Sequence, residues 1–238
     1  MPDPPVTSDT TFEDYRKFAA QRQIATIRHT FAPGQLLLAK IHSYNLIGIE
    51  ATLCEVEVDV NKSGMERTTV VGLAQMAVRE SIERVRRAIN NSGFPFPAYN
   101  LLINLAPADV KKEGPSLDLP IAIGLLRASN SIQSDALKDY LIAGELALDG
   151  RLRKIKGALS LALLAKAKQY RGLVLPEENA REAAVVEGIE VYPVSNLTQA
   201  VSFLNEVLPL EPYELNGQPY QSSQTRTPLD FVDVRDIA

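Results

Sequence analysis

Cys54-Glu55-Val56-Glu57-Val58-Asp59-Val60 places an apolar side chain at every second position and a carboxylate at each position between. A period of two is that of a β-strand, so this stretch reads as a strand with one face on a core and the other toward water. Sheets with one wet face are characteristically antiparallel, and the same alternation and β-branched composition run outward over residues 36–73. We therefore expect a half-buried antiparallel sheet here. Downstream, Val78, Ile82, Val85 and Ile89 recur at four- and three-residue spacing, the mark of an amphipathic helix, and Ser92-Gly93 closes it. Its apolar stripe is expected to pack on the sheet.

The rest of the chain keeps a mixed rhythm. Residues 101–105 form an apolar run suited to a buried strand, and 117–129 read as a helix entered through Gly114-Pro115-Ser116. Residues 140–146 and 151–155 read as two strands of a hairpin turning at Asp149-Gly150. A helix over 157–169, a strand over 172–175, a short helix from Glu177, a strand over 189–193 and a helix over 196–206 follow. The fold class is thus α/β in the α+β sense, an antiparallel-rich sheet with helices packed on it. Upstream, Phe12, Tyr15, Phe18 and Ala19 mark a helix over 11–28, cut off by Pro33-Gly34. Three segments result: an N-terminal extension with one helix over 1–34, the main domain over 35–207, and a polar, proline-bearing linker over 208–238.

Composition narrows the function classes. The 238 residues are 45% hydrophobic, enough for one good core, and carry a formal net charge of −4, so nothing global points to nucleic acid or membrane. Met1-Pro2-Asp3-Pro4-Pro5 lacks the basic and apolar regions of a secretory signal, and no apolar run is long enough to span a bilayer, so a cytoplasmic location is expected. The lone Cys54 sits on the apolar side of its strand and reads as a core residue. His29 and His42 pair with no carboxylate or cysteine cluster in sequence, so neither a metal site nor a cofactor is expected.

Two motifs carry more information. Lys112-Glu113-Gly114-Pro115-Ser116-Leu117-Asp118-Leu119-Pro120 and Gly144-Glu145-Leu146-Ala147-Leu148-Asp149-Gly150-Arg151-Leu152, followed by Gly172-Leu173-Val174-Leu175-Pro176-Glu177-Glu178-Asn179, resemble segments of the Lon protease domain in order and spacing. Within that superfamily, Val70-Val71-Gly72-Leu73, Ala77-Val78-Arg79-Glu80-Ser81 and Ile103-Asn104-Leu105-Ala106-Pro107-Ala108-Asp109 are most similar to the YifB/ComM family of magnesium-chelatase-like AAA+ ATPases. The resemblance covers residues 36–207, and Pro228-Leu229-Asp230-Phe231-Val232 resembles the family's lead-in to its ATPase module. It implies the fold shared by Lon-type domains and the second domain of small-subunit ribosomal protein five. It also implies a role beside a ring-forming ATPase in DNA processing, such as branch migration in transformation, and no porphyrin chemistry.

The resemblance also frames the chemistry. No Gly-x-x-x-x-Gly-Lys-Ser/Thr string exists in these 238 residues to wrap phosphates, so ATP and Mg are expected only for a separate ATPase module. Ser116 stands where the Lon-type nucleophile stands, but the register of the motifs puts Leu159 at the place of the lysine base, and a leucine accepts no proton. Lys154, Lys156 and Lys166 are displaced from that place. We expect no catalytic residue: Ser116 reads as an N-cap of the helix that follows it. Cations offer the remaining candidates. Arg79, Arg84, Arg86 and Arg87 share one helix and Arg151, Arg153, Lys154 and Lys156 flank the hairpin, so each set is either a solvated surface or a contact for nucleic acid or a partner. The expected partners are an AAA+ module or further copies of this chain, with DNA in the assembled protein and no membrane. Two alternatives stay open: a residual Lon-like serine hydrolase using Ser116, and a split or truncated product whose ATPase part is separate.

Overall fold

A computed structural model describes residues 37–61, 65–74, 76–112 and 114–215. The expected helix over 11–28, His29 and the 228–235 segment lie outside the described residues.

β1 (Leu37–Ile47) and β2 (Glu50–Asn61) form a hairpin whose two-residue loop begins with Gly48 at φ +63, the left-handed first position of a type II′ turn. β4 (Asn100–Ala106) pairs antiparallel with β2 and β3 (Arg67–Val71) pairs parallel with β4, giving the order β1-β2-β4-β3. Cys54, Val56, Val58 and Val60 all turn inward, and Ala39, Ile41, Leu101, Ile103 and Leu105 join them from the neighbouring strands. The period-two reading therefore holds residue for residue. Residues 101–105 are less enclosed than their apolar run suggests, because Leu102 points to the open face and stays 42% exposed. On that face Lys40, Glu57 and Asn104 form a cross-strand row joined by two 2.8 Å contacts to the Glu57 carboxylate. The row's ammonium and amide hold Glu57 below the usual carboxylate range.

Two helices cover the inner face. α1 (Met76–Asn91) lays down Val78, Ile82, Val85, Ala88 and Ile89, the stripe its spacing predicts. α2 (Asp118–Ala128) is buried almost all round, as an apolar helix at the centre of a core must be. It lies so close to β2 that a Cβ on Gly124 would come within 2.7 Å of Val58 Cγ2.

A second sheet, β5 (Tyr140–Ile142), β8 (Gly172–Pro176) and β9 (Glu190–Val194), is wholly parallel, in the order β5-β8-β9. α3 (Ala158–Ala167) and α4 (Ala180–Ala183) lie in its crossovers, and α5 (Leu197–Leu204) follows β9. The expected hairpin is present in shortened form as β6 (Glu145–Leu146) and β7 (Leu152–Arg153). The single strand expected over 140–146 is instead two. Gly144 donates its N–H to Ser116 O and accepts from Leu119 N, which draws the backbone off β5 toward the start of α2. The expected close of the domain near Val207 meets a longer chain path: Leu208 is buried, Leu210 packs on the core and Tyr213 N donates to Val191 O at 2.7 Å. Among the described residues, no helix is long and apolar enough to cross a membrane.

Candidate functional site

Gly114, at φ +83, turns the chain into a 3-10 turn over Pro115–Leu117, and α2 begins directly after it. The N-cap position of α2 is Leu117, which makes no side-chain cap, and the N–H of Asp118 is already taken by Pro115 O. Ser116 is therefore not the N-cap that its place before an apolar helix suggests. Its side chain instead lies beside the Tyr44 hydroxyl, which donates to the carbonyl of Lys156. Tyr44 is 1% exposed, and burial pushes its phenol up to about 12. With its proton committed to a carbonyl, Tyr44 offers Ser116 only a neutral phenol oxygen, which is a poor acceptor of a proton.

Leu159 is the second residue of α3, 42% exposed, and its N–H donates to Glu182 Oε1 at 3.2 Å. Of the lysines weighed as substitutes, Lys154, Lys156 and Lys166 are all exposed. Lys156 brings its backbone, not its amine, to the serine–tyrosine pair, and the Lys166 stem lies beside Gly188. A lysine not weighed in the sequence is fully buried: Lys112, whose Nζ donates to Val110 O at 2.7 Å and to Pro107 O. Its hydrogens serve to tie the 107–112 loop. The signal was available, since a lysine four residues before the serine stands in the quoted motif, but no periodicity marks it as buried. His42 Nε2 sits 3.4 Å from Glu55 Oε2 on the open face of the sheet. Cys54 is a core residue whose thiol burial pushes up to about 11. No group of three or more His, Cys, Asp or Glu that could hold a metal exists among the described residues.

The arginines of α1 divide. Arg84 turns inward, giving Nε to Asp118 Oδ2 at 2.6 Å and Nη2 to Asp118 Oδ1 at 3.0 Å, while Leu146 N caps the same carboxylate at 3.1 Å. Burial pushes the fully enclosed Asp118 carboxyl up, and the Arg84 guanidinium and the Leu146 amide pull against it. Arg86 pairs with Glu66 at 2.6 Å and lies 4.1 Å over the Phe96 ring. Arg87 is exposed, with no ion pair to a described residue, and the Arg79 side chain is outside what the structure describes. The second set lies beside the first. Asn91 Nδ2 donates to Leu148 O at 2.7 Å, and Gly150 rests on Ser92 and Ala88, so the hairpin turn docks on the C-terminal end of α1. There Arg151 pairs with Asp149 at 2.7 Å and Arg153 with Glu145 at 3.3 Å, counter-charges that the linear sequence did not assign. Lys154 and Lys156 have no ion pair among the described residues.

Comparison with known proteins gives a consistent set. A family model described as subunit ChlI of Mg-chelatase matches residues 56–179. Competence protein ComM of Haemophilus influenzae is 39% identical over 199 residues, covering 83% of this chain and 38% of that protein. The uncharacterized protein YifB of Escherichia coli is 41% identical over 167 residues, covering 70% of this chain and 33% of its own. Lon protease 2 of Bacillus subtilis is similar at a lower level, 24% over 175 residues. The chain thus spans about a third of the length of the ComM and YifB proteins it matches.

Proposed function

The chain belongs to the family of subunit ChlI of Mg-chelatase, in its ComM and YifB branch, and on that footing we propose that it is a non-catalytic contact module of a magnesium-chelatase-like AAA+ ATPase. Its work in this reading is assembly or contact with a DNA substrate. The competence role carried in the ComM name is the process we assign by kinship. ATP and Mg are needs we place on the part of such proteins that this match does not reach.

The observation that carries the reading is the surroundings of Ser116. A serine nucleophile needs a neighbour that takes its proton, and Ser116 has a buried tyrosine whose own proton is already given to Lys156 O. At the place that the motif register gives the amine stands Leu159. A Lon-like fold that keeps the serine motif without this partner is suited to holding structure and presenting surface.

The test is labelling of the purified chain with a serine-directed fluorophosphonate, comparing wild type with Ser116→Ala and following peptidase turnover in parallel. We expect no labelling and no turnover. Labelling that disappears in Ser116→Ala overturns the reading and restores the hydrolase.

A further inference from the structure

Residues 154–157 join β7 to α3 without regular secondary structure, yet their backbone is held from three directions. Ile155 is buried, and both of its backbone polar groups are taken by one side chain: its N–H donates to Asn179 Oδ1 and its carbonyl accepts from Asn179 Nδ2, each at 2.9 Å. Asn179 is itself fully buried. The next carbonyl, that of Lys156, accepts from the buried Tyr44. Gly157, at φ +74, lies so close to β1 that a Cβ would fall 2.8 Å from Leu46 Cδ1. A surface loop with no regular hydrogen-bond ladder gains definition only from such side-chain clamps, and buried amides are costly unless satisfied in this way.

What the clamps hold in place is charge. With Ile155 plugged into the core, Lys154 and Lys156 on either side of it are exposed. Residues 151–156 carry four cations in a chain whose net charge is −4. The two arginines are answered by Asp149 and Glu145, whereas neither lysine has an ion pair among the described residues. Of the nearby carboxylates, Glu182 accepts from Leu159 N, and Glu177 and Glu178 form no ion pair with either lysine. No exposed aromatic stands in the loop, so there is nothing on which a base could stack. Two exposed ammonium groups on a pinned backbone, with no ion pair among the described residues and without a stacking platform, suit sequence-independent contact with successive phosphates of a nucleic-acid strand.

We propose that residues 154–157 are a preorganised phosphate-contact loop, with Lys154 and Lys156 as its contact groups and Asn179 and Tyr44 as its positioning residues. This rests on the contact-module reading and narrows its partner to a phosphodiester backbone.

The experiment is a polarisation titration of a fluorescein-labelled DNA oligonucleotide, single-stranded and duplex, at several salt concentrations. It compares wild type, Lys154→Gln/Lys156→Gln, and the charge-matched control Lys138→Gln/Lys168→Gln, which removes two exposed lysines elsewhere. The loop variant is expected to weaken binding about tenfold at low salt and to flatten the slope of log K against log salt by about 1.4–1.8, the loss of two phosphate contacts. The control is expected to leave both unchanged. Asn179→Ala, where it melts as a folded protein, is expected to weaken binding while keeping both lysines. Equal weakening by the two lysine pairs, absence of oligonucleotide binding by wild type, or equally lysine-dependent and equally tight binding of polyglutamate overturns the proposal. Its failure leaves the fluorophosphonate result at Ser116 untouched, so the loop and the non-catalytic reading fall separately.

Discussion

Tyr44 is the residue on which the Ser116 region turns. Its hydroxyl lies beside a serine at the head of α2 and donates to a loop carbonyl before α3, so three separate parts of the chain meet at one buried residue. Tyr44→Phe removes that atom and strands the Lys156 carbonyl, so we expect a loss of about 1–3 kcal/mol in urea unfolding, with m unchanged. Ser116→Ala leaves that carbonyl its partner and is expected to cost less, about 1 kcal/mol at most. Because the two side chains are neighbours, the double variant should cost less than the sum of the singles; strict additivity would show that they do not interact in solution. The sequence could not reveal this link. Tyr44 looks like one more aromatic in an alternating strand, and nothing local tells it to meet a serine far downstream. The same holds for Arg84, grouped by its helix with Arg86 and Arg87 as surface charge, whereas its partner Asp118 lies on the next helix and turns it inward. Asn179 and Lys112 were missed for the same reason: polar residues are buried only by their partners, and partners are tertiary facts.

At the scale of elements, periodicity was a reliable guide wherever one face meets the core. β2 and α1 follow it because a single slip of register would expose their whole apolar set. Gly124 in α2 breaks the usual rule that helix interiors avoid glycine. On propensity alone Gly124→Ala would stabilise the helix by about 1 kcal/mol, but the new methyl would meet Val58 Cγ2 at 2.7 Å. Overpacking of a closed core costs about 1–3 kcal/mol, so we expect a net loss of thermal stability, recovered in part by Val58→Ala. A rise in melting temperature for Gly124→Ala alone would contradict the close helix–sheet approach. The division of residues 140–146 into β5 and β6 escaped the sequence because all of them are apolar or small except Glu145. Hydrogen bonds from Gly144 to the head of α2, not any change in composition, break the strand.

For the whole molecule, the place where the domain closes is testable. Leu208 and Leu210 pack on the core and Tyr213 bonds the exposed edge of β9, so residues 208–213 belong to the folded body. A chain cut after Val207 is expected to lose about 2–4 kcal/mol against one cut after Leu215, the burial of roughly two leucines, read by chemical denaturation of both. Equal stability would return the boundary to Val207. The amino-acid sequence by itself determined the α+β class, the inward face of the main sheet, the order of most elements, and, through its motifs, kinship with magnesium-chelatase-like proteins. These are legible because side-chain period and motif spacing are properties of the chain alone. Only the tertiary structure decided what surrounds Ser116, which arginines are spent on internal pairs, and which two lysines stand on a clamped loop with no ion pair among the described residues. A hydrogen bond or ion pair between distant residues exists only once the fold brings both groups within about 3 Å, and no local pattern records that meeting.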